Sequence, residues 1–290
     1  NKELEEFLIY KSNVLSELIS EKYPKIINFK GESKNRDGVR ITGTFSPLGI
    51  NGVITTKETK VYIQPKKNST NNQHIVYTKN RFSKFNHKRL NCLAEPKKDI
   101  SSYLKKKKIQ SKETTTESRN LKIFRIAISA TASYTSFWGD NDDTNGSNKN
   151  DAFIAIVSTI NRVNEIFETD LAIRLELVSD ESLVFSDQKN QPYSNDFSNE
   201  LQETLNQSIG VSNYDLGHLF AYGNVPDGNS GCIGCVCDNA LKGRAYSTHP
   251  FIDISGEGFF LNDYFDVDFV AHEIGHQFGA HHTFSYENEG

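Results

Sequence analysis

The sequence predicts an α/β fold, in which a mostly parallel sheet carries packed helices, preceded by a smaller α+β unit. From residue 121 onward, apolar runs of strand length alternate with longer segments at helical spacing, as in strand–helix–strand units of parallel sheets. Upstream, short β-like runs are separated by Gly, Asn and Pro, which mark turns. A lysine-rich polar stretch separates the two patterns. We therefore divide the chain into residues 1–96, a linker at 97–118, and residues 119–290.

The first unit is predicted to begin with a helix. Leu4, Leu8, Leu15 and Leu18 form an approximate apolar stripe along Glu3 to Tyr23. After Pro24 the pattern changes to strands. The predicted strands are Val39–Phe45, Gly52–Thr56, Lys60–Ile63 and His74–Thr78.

The second unit is predicted to alternate strands and helices. The expected strands are Leu121–Ala130, Ala172–Val178, Asp215–Tyr222 and Gly243–Thr248. The expected helices are Asp151–Glu168, Phe197–Ile209 and Asp266–Phe278. This order places successive strands beside one another with helices packed on the sheet.

Charge divides the chain in the same way. Residues 1–118 carry a net charge of +12 and residues 119–290 a net charge of −16, so the two parts should attract each other. Cleavage near Lys105–Lys108 would release such a contact. The basic charge is mostly lysine and follows no recognition motif, which argues against nucleic acid as a partner. No apolar run is long enough to span a membrane.

The segment from Val270 to His282 carries the chemistry. His272 and His276 are four residues apart on a predicted helix, so both imidazoles project from one face and can bind one zinc ion. Glu273 is adjacent to the first ligand and can act as a base without binding the metal. Gly279 allows a sharp turn that returns His282 as the third ligand. Three histidines leave a fourth position open, as in catalytic zinc sites.

The spacing H-E-x-x-H-x-x-G-x-x-H is the metzincin signature, and the sequence resembles the reprolysin-like zinc metallopeptidases, in particular their secreted bacterial, flavobacterial-type branch. His281 could compete with His282, but the G-x-x-H spacing favours His282. Further similarity to the catalytic domain of that family lies at Phe124–Tyr134, Asn161–Leu175, Tyr214–Phe220 and Phe265–Phe284. The segment Phe45–Gly49 is similar to the propeptide of that family.

The resemblance implies a metzincin catalytic domain with a twisted sheet, an antiparallel edge strand and an active-site helix, preceded by an α+β pro-domain. It implies a secreted zinc endopeptidase, made as a latent zymogen, in which Glu273 activates a zinc-bound water against polypeptide substrates. The substrate-aligning edge is expected within Gly231–Ser247, beginning with Gly231, Cys232, Ile233 and Gly234. The family also carries a Met-containing turn after the third histidine. This chain has no Met, so the domain is expected to be truncated there.

The four cysteines allow several interpretations. Cys92 precedes the basic linker, where a pro-segment thiolate could occupy the open zinc position and hold the enzyme latent. A structural or unpaired thiol is the alternative. The cluster Cys232, Cys235 and Cys237 could form a disulfide, a second metal site or a redox pair, and a disulfide fits an exported protein best.

Two further features are less specific. Aligning Gly146 as the glycine of a calcium loop places Asn141 first and Ala152 last, where Glu is needed, so a solvated loop is favoured. Trp138 and His218 are expected to be packing residues. As an alternative function, the scaffold could serve as a non-catalytic pseudoprotease or adhesin module. The retained Glu273 argues against that alternative.

Overall fold

The computed structural model describes residues 4–67, 73–78, 91–92, 120–140, 142, 144, 146–223, 227–249 and 261–282. These residues form two six-stranded sheets. The predicted linker at 97–118, with its Lys105–Lys108 run, lies outside the described residues. Among the described helices, none combines the length and the apolar character needed to cross a membrane.

The N-terminal sheet is antiparallel and its strands follow one another in chain order. Its strands are β1 (Phe7–Lys11), β2 (Ile27–Ser33), β3 (Arg40–Ser46), β4 (Gly49–Thr55), β5 (Lys60–Pro65) and β6 (His74–Tyr77). The four strands predicted after Pro24 correspond to β3–β6, with ends that differ by a few residues. The sequence analysis missed β2.

The predicted helix over residues 3–23 is wrong. The segment contains strand β1, which pairs with β2, and only a short helix α1 (Glu17–Lys22). Of the proposed leucine stripe, only Leu15 is buried. It packs in the core beneath the second sheet, where the backbone around it bonds to Leu177. Long-range pairing with β2 and Leu177 therefore overrides the local helical pattern.

The second sheet has the order β7–β11–β12–β10–β8–β9. Its strands are β7 (Asn91–Cys92), β8 (Lys122–Ala130), β9 (Ile173–Leu177), β10 (Leu216–Tyr222), β11 (Asp227–Asn229) and β12 (Ala245–His249). Strands β9, β8, β10 and β12 are parallel, as predicted. Strand β11 pairs antiparallel with β12, and the two-residue β7 lies outside it at the edge of the sheet.

Helices cover both faces of this sheet. They are α2 (Ala132–Trp138), α3 (Asn148–Leu171), α4 (Phe197–Ser208), a π-helical segment (Tyr264–Ala271) and α5 (His272–Gln277). Apolar residues of α3 and of the segment leading into α5 share one core with β8. Helix α4 packs on the other face through Leu201 and Leu205. The predicted helix over 266–278 is present, but its first half is π-helical.

The N-terminal sheet lies against α3 and the start of the π-helical segment. Asn161 on α3 donates a hydrogen bond of 2.8 Å to the Gly43 carbonyl of β3. Val53, Tyr62 and Tyr77 form a small apolar cluster around Leu261, just before that segment. The first unit thus packs directly on the elements that lead to the predicted active site.

Candidate metal centre

Helix α3 holds the helix that carries the histidines. The Arg162 guanidinium bonds to the buried Asp263 carboxylate at 2.6 Å, and the Thr159 hydroxyl donates to Asp266 at 2.7 Å. Both carboxylates lie at the start of the active-site helix, and Phe265 between them is buried in the main core. These contacts fix the direction in which α5 enters the site.

Three histidines converge at the end of this helix. The Nε2 atoms of His272 and His276 are 3.0 Å apart, and His282 Nε2 lies 3.1 and 3.2 Å from them. The chain returns through Gly279, whose φ of +102° is costly for any other residue. The amide of Gly279 donates to the His276 carbonyl, which ends the helix. His281 lies outside the cluster of converging ligand atoms.

The environment favours imidazoles that can accept a metal. Burial and the neighbouring imidazoles of His276 and His282 lower the pKa of His272 to about 4. Burial, His276 and His281 lower the pKa of His282. The Nδ1 atom of His276 is 2.7 Å from the Ala280 carbonyl, which can only accept a hydrogen bond. Nδ1 therefore carries the proton, and Nε2 presents its lone pair toward the other two rings.

Cys92 adds a fourth ligand atom. Its Sγ lies 3.5 Å from His276 Nε2, and the ligand atoms of Cys92, His272, His276 and His282 all lie within 4.8 Å of one another. The thiol lies on the edge strand β7, which pairs in parallel with β11. The N-terminal part of the chain thus reaches the histidines through the sheet edge.

These spacings fit a tetrahedral zinc ion. With zinc–nitrogen bonds of about 2.0–2.1 Å, two nitrogen ligands lie about 3.3 Å apart, and a thiolate sulfur lies about 3.5 Å from each nitrogen. The observed nitrogen separations of 3.0–3.2 Å and the sulfur–nitrogen distance of 3.5 Å are close to those values. Nitrogen and thiolate donors also match the preference of zinc.

Glu273 lies beside this cluster with its side chain fully buried. Its carboxylate lies close to the Cys92 thiol and the Ser230 amide, which both stabilise its charged form. Burial raises the pKa of Glu273 to about 7, and the charge of Asp227 adds to the effect, while the Cys92 thiol and the Ser230 amide oppose it. A carboxyl group with this pKa can both accept and release a proton near neutral pH.

The expected edge segment requires a correction. Gly231, Cys232, Ile233 and Gly234 form a turn, whereas the antiparallel strand is Asp227–Asn229, a few residues earlier. Gly231 and Gly234 have positive φ angles, which are incompatible with a regular strand.

The turn supports the end of α5 instead. The Gly234 amide donates to the His276 carbonyl, and the Cys235 amide donates to the Gln277 carbonyl, both at 2.9 Å. A disulfide joins Cys232 to Cys235, and Cys237 is a free, exposed cysteine. Of the three interpretations of the cysteine cluster, the structure favours the disulfide.

The two remaining candidates lie in the interior. His218 is fully buried on β10, and its Nε2 lies 2.9 Å from the Ser247 hydroxyl of β12. Trp138 packs against Phe137 and Tyr134 at the end of α2. Neither residue belongs to the cluster of converging ligand atoms.

Sequence reasoning missed the residues that hold the site from a distance. All three, Arg162, Thr159 and Asp263, are buried polar residues. The first two lie in the predicted helix Asp151–Glu168, and Asp263 comes just before the predicted helix Asp266–Phe278. A charged residue on the apolar face of the Asp151–Glu168 pattern was the available signal, because buried charges are almost always paired. The local sequence around Arg162 does not show that Asp263, on another helix, is its partner.

A comparison with protein families agrees with the geometry of the histidine cluster. The family described as "Metallo-peptidase family M12B Reprolysin-like" matches residues 120–290, well over half of the chain. No curated protein sequence matches significantly. The structure is similar to the crystal structure of metalloproteinase-II from Bacteroides fragilis, with 12% identity and a TM-score of 0.45, over 94% of this chain and 77% of that chain. On the strength of the family match, this chain belongs to the reprolysin-like metallopeptidases of family M12B.

Proposed function

We propose that this protein is a zinc endopeptidase whose N-terminal part keeps it latent. The observation that carries the proposal is the convergence of His272, His276 and His282 beside the buried Glu273. These three histidines would hold the ion. When bound, zinc would supply Lewis-acid polarisation of the scissile carbonyl and of the attacking water.

Glu273 would manage the protons of the reaction. Its carboxylate would take a proton from the attacking water and deliver it to the leaving amine nitrogen. The side chain is buried, and the Cys92 thiol and the Ser230 amide are close to its carboxylate in the present state. Departure of Cys92 would leave the carboxylate free to act on a water molecule.

Strand β11 would align the substrate. Its inner side pairs with β12, and its outer side pairs with β7 in the present state. Once β7 leaves, the free edge offers backbone groups to an extended polypeptide. Backbone pairing makes few demands on side chains, which suits an endopeptidase that acts on proteins.

Latency would depend on Cys92. Its sulfur lies within the ligand cluster, so a Cys92 thiolate would occupy the position that hydrolysis needs. Ion pairs between the two parts of the chain support the same arrangement, including Lys30 with Glu168 and Lys60 with Glu165. Cleavage in the lysine-rich linker would release the N-terminal part. Export from the cell, where the Cys232–Cys235 disulfide would persist, is part of this proposal.

A set of variants in the full-length protein tests the proposal. C92S should cleave a denatured protein substrate faster than the unprocessed wild type, because the fourth position is open. C92S/E273Q should retain about one zinc per chain and lose about 10²–10⁴-fold in rate. C92A is the matched control for removal of the thiol.

The alternatives give different results. A non-catalytic binding module would show zinc but no cleavage in C92S, in C92A or after removal of the N-terminal part. Cleavage that persists in C92S/E273Q would remove Glu273 as the base. Equal latency of wild type, C92S and C92A, followed by activity after proteolytic processing, would disprove the role of Cys92 alone.

A further inference from the structure

Strand β11 carries a carboxylate that the proposed mechanism does not use. Asp227, the first residue of this strand, is half-buried. Its Oδ1 atom accepts a hydrogen bond of 2.9 Å from the Gly228 amide, and its Oδ2 atom accepts a long one of 3.4 Å from the Tyr246 hydroxyl. Both donors are neutral groups, so these contacts do not compensate the negative charge of Asp227.

The surroundings of Asp227 lack a counter-charge. Burial raises its pKa, while the Gly228 amide and the Tyr246 hydroxyl lower it. Among the residues that the structure describes, no lysine or arginine contributes to this pKa. Arg244, just before β12, acts on Asp196 at the start of α4 instead. Because a half-buried carboxylate is more stable beside a cation, Asp227 is a suitable partner for a basic group that arrives from outside.

The register of the sheet places Asp227 next to the metal centre. Gly228 is opposite Cys92 on β7, and the Cys92 thiol reaches the histidines. Successive side chains of a strand point to opposite faces of the sheet, so the Asp227 side chain lies on the face away from the active-site helix. Tyr246 packs against Phe197 of α4 on that same face, with the ring centroids 5.5 Å apart.

A substrate would take the place of β7 along this strand. In the present state Asn91 is opposite Asp227, and Cys92 is opposite Gly228. A polypeptide that pairs with β11 after β7 has left would have one residue opposite Asp227, within about two residues of the bond at the metal. Opposite side chains on neighbouring strands are about 4.5–5.5 Å apart at Cβ. The side chain of that residue would therefore lie beside the Asp227 carboxylate and the Tyr246 ring.

We propose that Asp227 and Tyr246 select a lysine or an arginine at one position of the substrate, close to the scissile bond. This inference rests on the proposed function. The carboxylate would pair with the basic head group, and the apolar stem would pack along the Tyr246 ring, whose face also attracts a cation. A neutral residue at that position would leave the Asp227 carboxylate without a counter-charge, and an acidic residue would be repelled.

The charge around this position favours the same class of substrate. Residues 119–290 carry a net charge of −16, which attracts basic polypeptides. The charges of Asp196 and Glu273 both act on Tyr246, in addition to that of Asp227. A basic side chain would therefore enter a negative environment. Since Asp227 is only half-buried, the selection should be moderate, about five- to tenfold in kcat/KM.

Peptides that differ at a single residue test the selection in the full-length protein. With C92S, the kcat/KM of peptides of one common sequence should be about five- to tenfold higher with lysine than with norleucine at one position near the scissile bond. Norleucine keeps the apolar stem and removes the charge. C92S/D227N should lose this preference and cleave the norleucine peptide as before. C92S/D227K should prefer glutamate to lysine at the same position, a reversal that a damaged fold cannot produce.

A binding measurement separates this inference from the proposed function. By fluorescence anisotropy, C92S/E273Q should bind the lysine peptide more tightly than the norleucine peptide by a similar factor. C92S/D187N changes an exposed aspartate elsewhere and should keep the preference of C92S for lysine.

The outcomes are distinct. Lysine-selective binding that depends on Asp227, without cleavage in C92S, would support the subsite and contradict the proposed function. Selection by Asp227 is overturned if C92S cleaves the two peptides equally and C92S/E273Q binds them equally. It is also overturned if C92S/D227N keeps the preference for lysine, or if this variant loses the same factor with both peptides.

Discussion

The two sheets of this protein are stabilised in different ways. The second sheet is mostly parallel, and its central strands β8 and β10 are covered by helices on both faces. The N-terminal sheet is a simple antiparallel meander that leaves several large apolar side chains exposed. These include Leu8, Ile9, Tyr10, Ile27, Phe45 and Val76.

The two sheets are joined by both apolar and polar contacts. The apolar cluster of the N-terminal sheet is small and includes Leu261 from the other part of the chain. Polar contacts of Asn161, Lys30 and Lys60 add to the attachment. The segment between β1 and β2 is attached by packing instead, because its residues Val14, Leu15, Tyr23 and Ile26 belong to the main core.

The largest effect should come from the core beneath the second sheet. Phe265 is almost fully buried and packs against Phe220 and Phe269. F265A should lower the free energy of unfolding by about 3–5 kcal/mol, since it leaves a cavity that the core cannot fill. Chemical denaturation measures the loss. V76A, at an exposed apolar position of the N-terminal sheet, should change stability by less than about 0.5 kcal/mol; equal losses would contradict the comparison.

A smaller effect is expected where the two parts meet. Arg162 pairs with Asp263 and Glu165, and all three side chains are buried or nearly so. R162M should cost about 3 kcal/mol, because it leaves Asp263 charged and unpaired in the interior. The double variant R162M/D263N should recover part of that loss. If the double variant is no more stable than R162M, the ion pair does not account for the effect.

The buried histidine of β10 should give a pH-dependent effect. Burial lowers the pKa of His218 to about 3, so the folded state keeps this imidazole neutral while the unfolded chain binds a proton below about pH 6.5. Its contribution to stability is therefore full above pH 6.5 and falls as the pH drops toward 3.

The matching variant isolates this contribution. When the pH is lowered from 7 to 5, the free energy of unfolding should fall by about 2 kcal/mol less in H218Q than in the wild type. Denaturation midpoints at the two pH values provide the measurement. The other histidines contribute equally to the pH dependence of both proteins, so their contribution cancels in the difference. Parallel pH profiles would show that His218 is protonated in the folded state or is not buried there.

Much of the catalytic part could be predicted from sequence because its signals are local. The His272, His276 and His282 spacing depends on one helix and one turn, and the strands β8–β10 carry their own apolar patterns. The predictions that were wrong concern residues whose contacts are with residues far away in the sequence. Strand β1 exists because β2 pairs with it, and Leu15 is buried because it reaches Leu177. The family resemblance places the substrate-aligning edge at Gly231–Gly234, but it does not show that Gly231 and Gly234 have positive φ angles and form a turn.

The role of Cys92 could be predicted from the sequence only in part. The sequence placed a lone cysteine upstream of a basic linker, which left a structural thiol equally plausible. The fold adds what local sequence could not, a two-residue strand that pairs with β11 and brings Sγ to 3.5 Å from His276 Nε2. Cys92 and His276 are 184 residues apart, and no local sequence pattern predicts a contact at that separation.

X-ray absorption spectroscopy of zinc in the unprocessed, full-length protein can show whether Cys92 and the three histidines bind the same ion. We expect one zinc per chain, with three nitrogen ligands and one sulfur ligand at about 2.3 Å. In C92S the sulfur signal should disappear, while the three nitrogen ligands remain. A wild-type spectrum without sulfur, or a sulfur signal that persists in C92S, would contradict the arrangement of Cys92 and the three histidines around a single ion.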